Sequence, residues 1–200
     1  MSKSKRSDDM PSSILQIDVD PPLAWVTMSR SSEGNPIDAR TTGAFRAAWV
    51  TLAEDERIKA VGICAKGPTF SVGLPASSTT SIEMYGPKSC NFWKPLLVEL
   101  SGDVSSGAFQ LLGQADVVIA TPGVKLATIP DLAGMTDAHH LGPRLPRPEI
   151  ARLALLGSTR PLTADRASQL GLFDEIVPFS NLRRRSIERL RLLAGLDLHG

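Results

Sequence analysis

Residues 101–120, SGDVSSGAFQLLGQADVVIA, are the stretch from which the rest of the chain takes its place. Before them stands Pro95-Leu-Leu-Val-Glu-Leu100, a short apolar run bounded by proline and glycine, which reads as a buried strand. Gly102 to Gly107 is turn chemistry. Ala108 to Gln114 follows as a short helix with Ser105 or Ser106 as N-cap, and the β-branched run Val117-Val-Ile-Ala120 reads as the next strand. A strand, a glycine-containing turn and a helix start aim unpaired backbone N–H groups, backed by the positive end of a helix dipole, at whatever lies above the turn. Such a turn is one half of an oxyanion-binding site.

A second turn of the same kind lies upstream. Ala60-Val-Gly-Ile-Cys-Ala65 reads as a strand, and Lys66-Gly-Pro-Thr-Phe-Ser-Val-Gly-Leu74 follows as a glycine-punctuated loop in which Gly73 places the N–H of Leu74 toward a ligand. Together, GPTFSVGL and PLLVELSGDVSSGAFQLLGQADVVIA resemble the two glycine loops of the enoyl-CoA hydratase/isomerase (crotonase) superfamily. The resemblance covers residues 14 to 181. It implies an α/β fold, a crotonase-like ββα superhelix with a mostly parallel sheet and a shortened C-terminal helical part. It also implies an oxyanion hole made by the N–H groups of Leu74 and Gly107, with Gly73, Ser106 and Phe70 beside the substrate.

Length and composition fit one such domain. Two hundred residues at 42% apolar content bury a single core, and a net charge of +1 gives no electrostatic case for nucleic acid. The two cysteines, Cys64 in a predicted strand and Cys90 in a loop, form neither a metal spacing nor a disulfide framework, which suits the cytoplasm. Residues 1–13 read as a disordered tail without the apolar segment of a secretory signal, residues 14–181 as the core, and residues 182–200 as a short helix and tail. No run is long enough to cross a membrane.

From the start of the core, Ile14 to Val19 and Leu23 to Met28 read as two paired strands around Asp20-Pro21-Pro22. Ala39 to about Glu56 then carries Phe45, Ala48, Trp49 and Leu52 at helical spacing, a stripe that faces the sheet. Strand and helix in alternation mean a mostly parallel sheet with helices outside it. From Pro75 to Trp93 the sequence turns Ser/Thr-rich, shorter than the pocket cover of family members; Tyr85 and Lys88 there are either ligand contacts or ordinary loop residues. Further on, Pro148–Gly157 and Pro161–Gly171 read as helices, with Thr163 as an N-cap and Gly171 as a C-terminal stop. Asn181 to Leu193 is a basic amphipathic helix, whose Arg183-Arg-Arg185 run either meets phosphates or is solvated.

The chemistry departs from the family's pattern. Hydratases of the superfamily position a water and move protons with two glutamates, and at the first of those places this chain has Gln110. An amide orients a water or a carbonyl but does not accept and return a proton near neutral pH. The second place falls on Pro130 in a gapless match and on Asp131 after a one-residue shift; Asp131 is read either as the base or as a helix cap. Asp137 is a second candidate base, since some isomerases and dehalogenases of the superfamily carry an acid nearby. His139 and His140 point in different directions, lack a zinc-binding spacing, and read as structural or surface residues.

One carboxylate suits double-bond isomerisation of an acyl thioester better than hydration. Decarboxylation, C–C cleavage, or a catalytically degenerate auxiliary subunit are the alternatives. The resemblance implies no cofactor beyond the thioester substrate, which is carried by coenzyme A or an acyl carrier protein, and a homo-oligomer such as a trimer.

Overall fold

In the computed structural model, the residues described are 14–73, 84–128 and 137–195. The expected tails, Leu74 and Asp131 lie outside them. Strands β1 (Leu15–Asp20) and β2 (Leu23–Met28) form the predicted antiparallel pair. Helix α1 (Ala39–Glu54) leads to β3 (Ala60–Ala65), after which come β5 (Leu96–Leu100), β7 (Val117–Ala120) and β10 (Glu175–Ile176). These make a six-stranded sheet in the order β1-β2-β3-β5-β7-β10, parallel everywhere after the first pair. The sheet is the mostly parallel one expected.

A second sheet was not legible. It is built from β4 (Thr69–Ser71), β6 (Asp103–Ser105), β8 (Lys125–Ala127) and β9 (Leu162–Thr163), in the order β4-β6-β8-β9. Strands of two or three residues have no period to read. Each of β3, β5 and β7 therefore hands the chain to a short strand of the second sheet, and the two glycine loops sit at those handovers. At Gly102 the backbone runs so close to its neighbour that a Cβ would lie 2.0 Å from the carbonyl oxygen of Pro68.

Helix α1 starts at Asp38, whose side chain accepts the Thr41 N–H at 2.9 Å. Buried Arg30 donates to the Asp38 carboxylate at 2.6 Å and to the Thr41 hydroxyl at 3.0 Å, which ties the β2 exit to the helix start. Phe45, Ala48, Trp49 and Leu52 are buried as their spacing predicts. They join the main core, while α2 (Phe109–Gln114), α3 (Arg147–Leu156) and α4 (Ala164–Gln169) supply further apolar faces. Thr163 caps α4 through the Arg166 N–H, and Gly171 takes a φ of 79° after it. No helix among the described residues is long and apolar enough to cross a membrane.

The other face of the large sheet is covered by α5 (Phe179–Leu193). Leu182 and Leu190 pack on Ala60, Leu97 and Ile119 in a second, smaller core. The basic run is largely neutralised within the chain: Arg184 pairs with Glu188 at 2.5 Å, and Arg185 and Arg189 both pair with Glu175. Arg183 turns inward, lies 3.9 Å above the Trp25 ring, and meets Glu99 of β5 at 3.1 Å.

Glu99 is only 6% exposed, and burial raises its pKa above the ordinary glutamate value despite the Arg183 charge. A carboxyl raised in the folded state favours folding when protonated. That contribution is present at low pH and is lost as pH rises from the unfolded value near 4.5 through the raised one. In Glu99→Gln the side chain stays uncharged, so the melting temperature of the variant minus that of the wild type is expected to grow between about pH 4 and 7. Thermal unfolding across that range checks it; a constant difference removes Glu99 from the pH response.

Candidate active site

The first glycine loop is held from the segment before α1. Asn35, buried with a φ of 53°, donates to the carbonyls of Lys66 and Thr69 at 2.9 and 3.1 Å. The Ser71 hydroxyl donates to the Asn35 carbonyl at 2.7 Å and accepts the Gly73 N–H at 3.0 Å. Gly73 bridges Pro36, its carbonyl accepting the Ile37 N–H at 2.8 Å, and its φ of 79° is one that side chains rarely allow. This loop delivers the chain to Leu74, the expected donor, at the border of the described residues. Phe70 is 1% exposed and belongs to the main core.

The second loop runs from β6 into a 3-10 turn, Ser106–Ala108, that continues directly as α2. Ser105 occupies the N-cap position with extended backbone, but its side chain makes no capping bond. Ser106, Gly107 and Ala108 are all buried. The first N–H groups of a helical run lack carbonyl partners within that run and point out of its start.

Around Gly107 the side chains interlock. Tyr85 is fully buried, and its hydroxyl donates to the Gly107 carbonyl at 2.8 Å. The Gln110 side-chain oxygen accepts the backbone N–H groups of Tyr85 at 3.1 Å and Gly86 at 3.2 Å. One turn on, the Gln114 oxygen accepts the Lys88 N–H at 2.9 Å. Trp49 of α1 donates its indole N–H to the Tyr85 carbonyl at 2.8 Å, and the Phe45 ring lies 5.5 Å from the Tyr85 ring. Sequence reasoning left Tyr85 undecided; it is a buried hub. The signal available was that the aromatic stripe of α1 needed an aromatic partner.

Asp137 comes to the same place. It is 8% exposed at the start of the 3-10 turn Ala138–Leu141. Burial pushes the Tyr85 phenol well above its usual pKa, and the nearby Asp137 charge pushes it further, so the phenol stays a hydrogen-bond donor. His140 Nε2 lies 4.0 Å from the Asp137 carboxylate, and burial followed by the neighbouring His139 lowers its pKa, keeping the ring neutral at pH 7. His139 is exposed and lines a shallow groove with Arg147 and Ile150, so the two histidines do point apart. The described residues thus bring Gly107, Ser106, Gln110, Tyr85 and Asp137 together, while Asp131 lies outside them. A carboxylate can act as a general base, and aimed backbone donors can stabilise negative charge that builds on oxygen.

No family model matches the chain. Among curated proteins it is similar to the mitochondrial enoyl-CoA hydratase domain-containing protein 3 of Mus musculus, 25% identical over 194 residues, covering 86% of this chain and 62% of that one. It is also similar to carnitinyl-CoA dehydratase of Salmonella arizonae, 26% identical over 175 residues, covering 78% of this chain and 65% of that one. The chain therefore spans less than two thirds of these two relatives. A solved enoyl-CoA hydratase/isomerase from Mycobacterium paratuberculosis superposes with a TM-score of 0.81 at 24% identity, over 92% of this chain and 76% of that one. A methylmalonyl-CoA decarboxylase does so with a TM-score of 0.75 at 18% identity, over 94% of this chain and 77% of that one. The resemblance read from the two glycine loops is borne out, and the fold is the crotonase fold.

Gly113 of α2 sets how closely the Asp137 turn approaches, since a Cβ there would lie 1.7 Å from the His140 carbonyl oxygen. Gly113→Ala is expected to push that turn away and to cost about 1–3 kcal/mol of stability. Denaturant unfolding checks it, and a variant as stable as the wild type would mean that the turn shifts freely.

Proposed function

We propose that this crotonase-fold chain acts on an acyl thioester by forming an enolate, and that the reaction is migration of a double bond rather than addition of water. The observation that carries this is the state of Gln110: its only side-chain acceptor oxygen is taken by two backbone N–H groups. A second proton-transfer group of the hydratase kind is therefore missing at that place. Asp137 is the buried acid among the described residues of the site, and it serves as the base. Its carboxylate takes a proton from the carbon chain of the substrate, the electron pair moves onto the thioester oxygen, and the N–H groups of Gly107 and Leu74 hold that oxygen. The same carboxylic acid then returns the proton to another carbon. Each donor of this kind is typically worth about 3–4 kcal/mol in the transition state, so one acid–base group suffices beside two of them.

The names of the relatives, which include carnitinyl-CoA dehydratase and an enoyl-CoA hydratase domain-containing protein, support a coenzyme A thioester as the form of substrate. A carrier-protein thioester has the same reacting group. Incubation with saturated, 2-enoyl and 3-enoyl CoA thioesters in deuterated water is expected to place deuterium next to the thioester carbonyl and along the chain, without a gain of water. A gain of water would return the reading to hydration, and loss of carbon dioxide would make it decarboxylation. Asp137→Asn is expected to slow label exchange at least roughly tenfold while thioester binding persists. An unchanged rate there, with a loss in Asp131→Asn, would move the base to Asp131.

A further inference from the structure

A glycine turn is a soft place to mount a catalytic donor. With no Cβ, the Gly107 backbone has wide rotational freedom, and a peptide that turns over carries its N–H away from the anion. An oxyanion donor works only when aimed, and misplacement by about 1 Å costs on the order of a hundredfold in rate. Something must therefore hold this turn.

The contacts around Gly107 close into a ring. From Gly107 the chain runs three residues to Gln110, whose side-chain oxygen takes the Tyr85 N–H at 3.1 Å. From the Tyr85 backbone the side chain returns to Gly107, where its hydroxyl donates to the carbonyl at 2.8 Å. Tyr85 cannot slide within this ring: the Trp49 indole N–H holds its carbonyl at 2.8 Å, and the Phe45 ring lies against its own. Every member of the ring is buried.

We infer that Tyr85 is a positioning residue for the Gly107 oxyanion turn, and that Gln110 acts as its clamp instead of taking part in proton transfer. The inference rests on the enolate reading for its effect on rate. The hydroxyl fixes the Gly107 carbonyl, the following peptide and the start of α2, so the N–H on the other side of the same Cα keeps its direction. Gln110 stands where hydratases carry an acid, yet its oxygen is spent on holding Tyr85.

The test uses the isosteric Tyr85→Phe, which keeps the ring and removes the donor, together with Gln110→Ala and Gln110→Glu. In the thioester label-exchange assay, Tyr85→Phe and Gln110→Ala are expected to lower kcat about tenfold or more with KM changed less than about twofold, as for an interaction made in the transition state. Gln110→Glu is expected to restore most of what Gln110→Ala loses, because a carboxylate oxygen accepts the same two N–H groups. A packing role alone would lower the melting temperature and leave kcat in place.

Two readouts do not need turnover. The Gly107 amide signal in nitrogen-15 NMR is expected to shift and to exchange faster with solvent in Tyr85→Phe. Tyr85 is the chain's single tyrosine, so growth on 3-fluorotyrosine labels that position alone. Its fluorine resonance is expected to move in Gln110→Ala and to return toward the wild-type position in Gln110→Glu, which keeps the test available if Tyr85→Phe does not fold. Wild-type kcat in Tyr85→Phe, or a fluorine signal indifferent to position 110, overturns the inference. A wild-type protein that exchanges no label with any thioester overturns the enolate reading instead, while the two NMR signals still decide whether Tyr85 holds the turn.

Discussion

The hydrogen bond from the Tyr85 hydroxyl to the Gly107 carbonyl, with the Gln110 bonds beside it, joins two parts of the chain that are more than twenty residues apart. Tyr85 belongs to an irregular segment that α1 grips through Trp49 and Phe45, and Gly107 belongs to the handover from the small sheet into α2. A buried phenol and a buried carbonyl each cost energy unless paired, so each selects the other. The aromatic stripe of α1 thereby does more than fill the core. It carries the position of the first helix to the Gly107 turn.

Much of this architecture is legible in the residues, and the exceptions have physical causes. β2, β3 and β7 have the bounds that their apolar runs mark, because each is long enough to show its character. The second sheet escapes notice because its strands are two or three residues long and owe their existence to neighbours distant in sequence. At the site, the glycine loops declare themselves through spacing. Gln110 is visible as a departure from the two-acid pattern, but what its amide holds is a tertiary fact, since Tyr85 and Gly86 lie more than twenty residues away. Asp137 is a candidate in the sequence, and its burial beside Tyr85 is what raises its standing.

Charge is handled differently on the two faces of the large sheet. On the side of the site, the carboxylate of Asp137 is buried near a phenol and a neutral histidine. On the far side, α5 pairs most of its arginines with carboxylates, Glu188 of the helix itself and Glu175 of β10. Arg184 and Arg185 of the arginine run are thus balanced by nearby carboxylates. Only Arg183 reaches beneath the helix, to Glu99 and Trp25.

That contact completes a layered stack. The Trp25 ring lies so close to Gly62 that a Cβ there would come within 2.5 Å of it, and the Arg183 guanidinium stacks 3.9 Å from the ring centre. The three tryptophans consequently sit in three optical environments: Trp49 is wholly buried, Trp93 is 73% exposed, and Trp25 is roofed by a cation from α5. Lifting α5 off the sheet would strip the cation from one indole and leave the other two as they were. The chain thus contains its own fluorescent gauge of how firmly its last helix is seated.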